Sequence, residues 1–137
     1  MMENNIPFVF ASQKEVEVDF RTGNLPATGS LLCLRRTPPA WWQDVRATSP
    51  NLQLEHVPIP PSRYAECGPR IAELLQTVIP TIQRPVIVFC KEGRHRTGMI
   101  QALISMTNGY NIEAAIELYL QRSGDGWRSR EVSIIKL

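Results

Sequence analysis

Long apolar runs are missing from this 137-residue chain. Its apolar share is 43%, yet no stretch approaches the roughly 20 residues that cross a bilayer as a helix. Cysteine is scarce as well. The three cysteines, Cys33, Cys67 and Cys90, have neither the paired spacing of a zinc site nor the even number of a disulfide framework. They read as free thiols of a reducing compartment. Excess charge of either sign is absent, and a net charge of +2 excludes nucleic-acid binding by bulk electrostatics. The start, Met1-Met-Glu-Asn-Asn5, lacks the basic residues and apolar stretch of a secretory signal, so a cytoplasmic protein is expected. There is no internal repeat and no low-complexity tract. Lysine is confined to Lys14, Lys91 and Lys136, and aspartate to Asp19, Asp44 and Asp125.

What is present suits one globular domain with a core that needs neither disulfide nor metal. Residues 6–10 and 15–20 read as short strands, the second from the alternation of Val16, Val18 and Phe20. Ser30–Leu34 is a short apolar run typical of a buried strand. Thr37-Pro-Pro opens a helix through Trp41, Trp42 and Val45. Adjacent tryptophans on a helix do not both face the core fully, so one is expected at a surface or at the sheet edge. Leu52, Leu54 and His56 alternate with Gln53 and Glu55 as a strand, on which His56 reads as structural. A helix is expected from about Arg63 to Ile79, with Ile71, Leu74, Leu75 and Val78 on one face. Val86–Phe89 reads as a central strand, followed by helices over 97–107 and 111–122. Val132–Ile135 is a short strand or helix. Strands alternating with helices predict an α/β fold of three layers, with a mostly parallel central sheet flanked by helices. Ligands on such sheets bind beyond the carboxyl ends of the strands.

At that edge lies the most informative stretch, Cys90-Lys-Glu-Gly-Arg-His-Arg96-Thr97-Gly98. A tight loop between a strand and a helix turns backbone N–H groups toward one point and adds the positive end of the helix. A phosphate dianion fits there. The same field favours a thiolate on Cys90, and the planar fork of Arg96 grips two phosphate oxygens. Gly93 stands where the loop turns, Thr97 can hydrogen-bond the sulfur, and Gly98 lets the first helical turn pack closely. Cys33 and Cys67 are followed six residues on by Pro39 and Glu73, so neither repeats the pattern. The plainer reading of Cys90, a buried inert thiol at a strand end, leaves the rest of the loop without explanation.

These residues resemble the cysteine-dependent protein phosphatases of the tyrosine and dual-specificity type, whose signature is His-Cys, five residues, Arg, then Ser or Thr. The resemblance covers roughly residues 25–122 and is concentrated at 86–98. It implies a dual-specificity phosphatase-like domain over 1–137, with 1–24 as N-terminal strands or arm and 25–122 as catalytic core. It implies Cys90 as nucleophile, Arg96 as clamp and Thr97 as leaving-group helper. Lys91, Glu92, Gly93, Arg94 and His95 would bind substrate through their N–H groups. No metal or other cofactor is implied. Lys91, Arg94 and His95 also resemble the loops of the inositol- and lipid-phosphate branches, including the atypical plant-and-fungal dual-specificity group. The implied substrate is therefore a phosphoprotein or a polyanionic inositol or lipid phosphate, without integral membrane association.

The chain departs from the pattern twice. Phe89 replaces the histidine before the cysteine. The loop expected to carry the aspartate acid, 59–64, has no aspartate. Asp125, Glu66 and Glu92 are the candidate acids, unless the leaving group needs no proton. Two other readings stay open, a non-catalytic phosphate-binding domain and a rhodanese-type sulfurtransferase. A redox disulfide from Cys33 or Cys67 to Cys90 is a further option that spacing cannot decide.

Overall fold

The computed structural model describes residues 8–59, 67–124 and 129–136. Four strands, β1 (Phe8–Ser12), β2 (Gly29–Cys33), β3 (Leu52–His56) and β4 (Val86–Cys90), form one sheet in the order β1-β4-β2-β3. Every pairing is parallel. The register sets Ser12 beside Cys90 and Cys33 beside Phe89, so strand ends, and the loops that follow them, gather along one edge.

The helices are α1 (Gln13–Arg21), α2 (Trp42–Thr48), α3 (Gly68–Glu73), α4 (Ile79–Thr81), α5 (Arg96–Thr107), α6 (Ile112–Ser123) and α7 (Ser129–Ile135). A π-helical turn, Leu74–Val78, joins α3 to α4. It runs into Pro80, which lacks the N–H that a continuing α-helix would use. On one face of the sheet, Leu32, Val86, Val88 and Cys90 pack with Ile71, Leu74, Met99, Ile100 and Tyr119 from α3, the π turn, α5 and α6. On the other, Leu31, Cys33, Ile87 and Phe89 pack with Val16, Trp41, Trp42 and Val45. The three-layer α/β arrangement expected from the sequence is the one observed.

Two expectations are corrected. Residues 15–20 are helical, not a strand. Ser12 and Glu15 form a capping box, with Glu15 N–H donating to Ser12 Oγ at 3.1 Å and Ser12 N–H to Glu15 Oε1 at 2.8 Å. Val16 and Phe20, one turn apart, then face the sheet. Second, both tryptophans are buried, because α2 begins at Trp42 and Trp41 is its non-helical cap. Trp41 stacks between Phe20 and Phe89, with ring centroids 6.1 and 6.0 Å away, and Trp42 tilts against Phe89 at 6.0 Å. The 132–135 tail, expected as a short strand or helix, is part of helix α7. Residues 60–66, which include most of the 59–64 loop, lie outside the described residues. Among the described residues no helix is long and apolar enough to cross a membrane.

Candidate active site

The loop of residues 91–95 joins the end of β4 to the first residue of α5. Cys90 is buried at the strand end, and its Sγ accepts a hydrogen bond from the Gly93 N–H at 3.3 Å. The loop therefore curls so that one of its own amides points at the sulfur. Gly93 makes this turn with φ +74°, and a Cβ there would lie 2.6 Å from Ser12 N and 2.7 Å from Ala11 C and O. Both the left-handed backbone and the lack of space require glycine.

The β1–α1 junction that crowds Gly93 also holds the loop, since Gln13 N–H donates to Lys91 O at 3.2 Å. From the other side Arg122 of α6 donates through Nη1 to Gly93 O at 2.9 Å and through Nε to Gln101 Oε1 at 2.8 Å. Sequence reasoning missed both supports. The Ser12-to-Glu15 spacing was a local signal for the first, but Arg122 reaches the loop only through the fold.

Arg96 opens α5 half-buried, and its Nη1 donates to Leu34 O at the end of β2, 3.5 Å away. Thr97 is fully buried, and its hydroxyl has no hydrogen-bond partner among the described residues. The bond from Thr97 to the sulfur is therefore not made, and the Gly93 amide takes that place. Gly98 is needed for close packing, as a Cβ would stand 3.3 Å from Tyr119 Cδ1.

The remaining loop side chains divide. Lys91, Glu92 and Arg94 are exposed, and Glu92 Oε1 lies 3.7 Å from both Arg94 Nη2 and His95 Nε2. Glu92 thus faces basic neighbours on the loop's outer flank. His95 turns inward: its Nδ1 is 3.6 Å from Oε1 of Glu131, a carboxylate with no solvent exposure. The other two candidate acids, Asp125 and Glu66, lie outside the described residues. His56 is structural, its Nε2 2.7 Å from Arg35 O.

The cysteines are all free. Cys33 and Cys90 belong to the cores on opposite faces of the sheet, which sets their side chains apart although their strands are neighbours. Burial pushes the Cys33 thiol up to about 11, against the pull of the Arg35 N–H and the Arg35 and Arg96 charges. It stays a neutral, inert thiol in the physiological range. Cys67 shares the Cys90 face. Among the described residues no group of three or more His, Cys, Asp or Glu could hold a metal ion.

A parallel sheet with a cysteine at the end of a central strand and an arginine opening the next helix is the dual-specificity phosphatase-like fold. No protein-family model matches the chain. The core catalytic domain of the PP-IP phosphatase Siw14 from S. cerevisiae is similar in structure, with a TM-score of 0.72 at 17% identity, over 94% of this chain and 76% of that one. Human DUSP28 superposes with a TM-score of 0.58 at 16% identity, over 95% of this chain and 89% of that one. In sequence, the inositol diphosphatases DSP3 and DSP5 of Arabidopsis thaliana are each 24% identical over 66 residues. Those residues are 48% of this chain and 32% of each relative, so the chain matches about a third of their length. At the level of fold, these neighbours agree with the resemblance carried by the cysteine loop.

Proposed function

We propose that this chain is a cysteine-dependent phosphatase acting on a polyanionic inositol phosphate, and on phosphoanhydrides in preference to alkyl esters. The observation that carries the reading is the loop itself: the Gly93 amide on Cys90 Sγ at 3.3 Å, with Arg96 at the start of α5. In the first step the Cys90 thiolate attacks phosphorus, the S–P bond forms, and the bond to the leaving oxygen breaks with its electron pair. The loop N–H groups and Arg96 hold the equatorial oxygens. In the second step water attacks phosphorus, the S–P bond breaks, and the electron pair returns to sulfur. The Gly93 N–H, already on Cys90 Sγ at 3.3 Å, eases that departure, and Thr97 Oγ, buried and unbonded one residue beyond Arg96, is a second donor that would have to turn to the sulfur.

The missing aspartate fits a leaving group that needs no proton. Glu92, the only candidate acid among the described residues, sits between Arg94 and His95. A phosphoanhydride expels a phosphate, which is a good leaving group without help. Exposed Lys91 and Arg94 suit a substrate with several phosphates. The names of the Arabidopsis and yeast proteins, inositol diphosphatase and PP-IP phosphatase, support the same substrate class. The chain is read as a single domain of the cytoplasm, without nucleic-acid or integral-membrane partners.

The test is phosphate release across phosphotyrosine peptides, phosphoinositides, inositol polyphosphates and inositol diphosphates, together with a series of aryl phosphates. The expected result is turnover of the diphosphates and a steep dependence of rate on leaving-group pKa. A shallow dependence that steepens on changing Glu66→Gln, Glu92→Gln or Asp125→Asn, with a loss of about 10²–10⁴-fold, would identify a protein acid instead. Tungstate binding without any turnover would make the domain a phosphate binder. Transfer of sulfur from thiosulfate to cyanide would make it a sulfurtransferase.

A further inference from the structure

Glu131 is the only buried acidic side chain among the described residues. A carboxylate sealed from water is costly unless it is well paired, and apolar residues often fill such a space at least as well. Two of its partners, Tyr119 and His95, lead to the cysteine loop. The hydroxyl of Tyr119, itself fully buried, donates to Glu131 Oε1. The same oxygen faces His95 Nδ1 at 3.6 Å. His95 precedes Arg96 and caps α5, and its carbonyl accepts from Met99 N–H at 2.9 Å. Tyr119 reaches this place because Gly98 leaves room for its ring. One turn along α6, Arg122 holds Gly93 O. A single face of α6 thus touches the loop at Gly93 and the first turn of α5 at Gly98, and α7 supplies the carboxyl group beside them.

We infer that Glu131 is a positioning residue for this site: its carboxylate, oriented by Tyr119, fixes the His95 ring and through it the direction of Arg96. This rests on the phosphatase reading for its purpose but not for its geometry. The role explains why His95, alone among the loop's basic side chains, turns away from solvent.

The experiment is a double-mutant cycle between positions 131 and 95. Glu131→Gln keeps an acceptor for Tyr119 and removes the charge facing His95. Glu131→Gln and His95→Asn should each lower kcat about tenfold with little change in KM, since misplacing a clamp costs the transition state more than the bound substrate. The double variant should be no worse than the worse single one. Additive losses, or a Glu131→Gln enzyme within twofold of wild type in kcat, would overturn the inference and leave Glu131 a packing residue that moves only the melting temperature. If Glu131→Gln does not fold, Tyr119→Phe reads the same coupling: it should lower kcat in wild type and not in the His95→Asn background, and an equal loss in both backgrounds counts against it. The iodoacetamide rate at Cys90, followed by mass spectrometry, gives the same cycle without turnover. An inactive wild type would thus sink the phosphatase reading while this one is still judged by the alkylation rates.

Discussion

On the face of the sheet covered by α1 and α2, the side chains behind the site are aromatic and aliphatic. Phe20, Trp41, Trp42 and Phe89 stack in a row, and Cys33 sits among them as a neutral thiol. On the opposite face, behind Cys90, the packing is interrupted by Tyr119, Glu131 and His95, with Arg122 gripping the loop backbone. The two cysteines end neighbouring strands one residue out of register, and this single residue decides which environment each meets. The aromatic face holds the strands in place by area and shape. The polar face holds a loop in place by directed bonds. Apolar contact is tolerant of small shifts, whereas the reacting atoms are not.

The comparison is most sharply tested at the two cysteines. Cys90→Ser should abolish phosphate release while tungstate still binds, by calorimetry, because the cradle of amides remains. Normal turnover by that variant would remove Cys90 from the reaction. Cys33→Ser should leave kcat unaffected in the folded protein.

Arg96→Lys should follow in size. Lysine keeps a charge but loses two parallel hydrogen bonds, for an expected loss of at least about a hundredfold in kcat/KM, roughly 3–5 kcal/mol of transition-state stabilisation. Activity within threefold of wild type would show that the guanidinium does not grip the phosphate. Trp42→Ala tests the other face. It should cost about 3–5 kcal/mol in urea unfolding, while kcat per folded molecule stays within about threefold. A kcat that falls with stability would mean that the aromatic row also sets the loop.

The smallest effect is a pH dependence. The Cys33 thiol ionises at 9.0 when unperturbed and at about 11 in the fold. Between these values the unfolded chain has released the proton and the folded chain still holds it. Stability therefore falls as pH rises through that window, by about 2–3 kcal/mol at its top, and is unaffected below it. Urea unfolding at both ends of the window, for wild type and Cys33→Ala, should show a steeper decline in wild type. Equal slopes would mean that Cys33 is not desolvated.

The loop was legible in the sequence because Cys90, the turn at Gly93, Arg96 and the start of α5 lie in one short stretch, and local geometry follows from local chemistry. The parallel sheet was legible from apolar runs alternating with helical periods. The assignment of 15–20 failed because Val16, Val18 and Phe20 satisfy a period of two while Val16 and Phe20 also stand one helical turn apart. The capping box from Ser12 decides between them. Trp41 and Trp42 misled because the helix was expected to include both, whereas it starts between them. Nothing local marks Glu131 or Arg122 as parts of the site. Each looks like an ordinary charge on an amphipathic helix, and only the packing of α6 and α7 against the loop gives it a partner.

The order of the strands has a consequence for how the protein is made. β4 is the last strand among the described residues, yet it lies between the first and the second, and Phe8 must wait for Val86 to pair. A growing chain that has not yet reached β4 holds β1 without a partner and β2 with one open edge. Such edges are adhesive, and pairing distant in sequence is slow to form. The strand that completes the sheet is also the one that delivers Cys90. The cysteine loop, with the Gly93 amide turned to the sulfur, therefore comes into being only as the sheet closes.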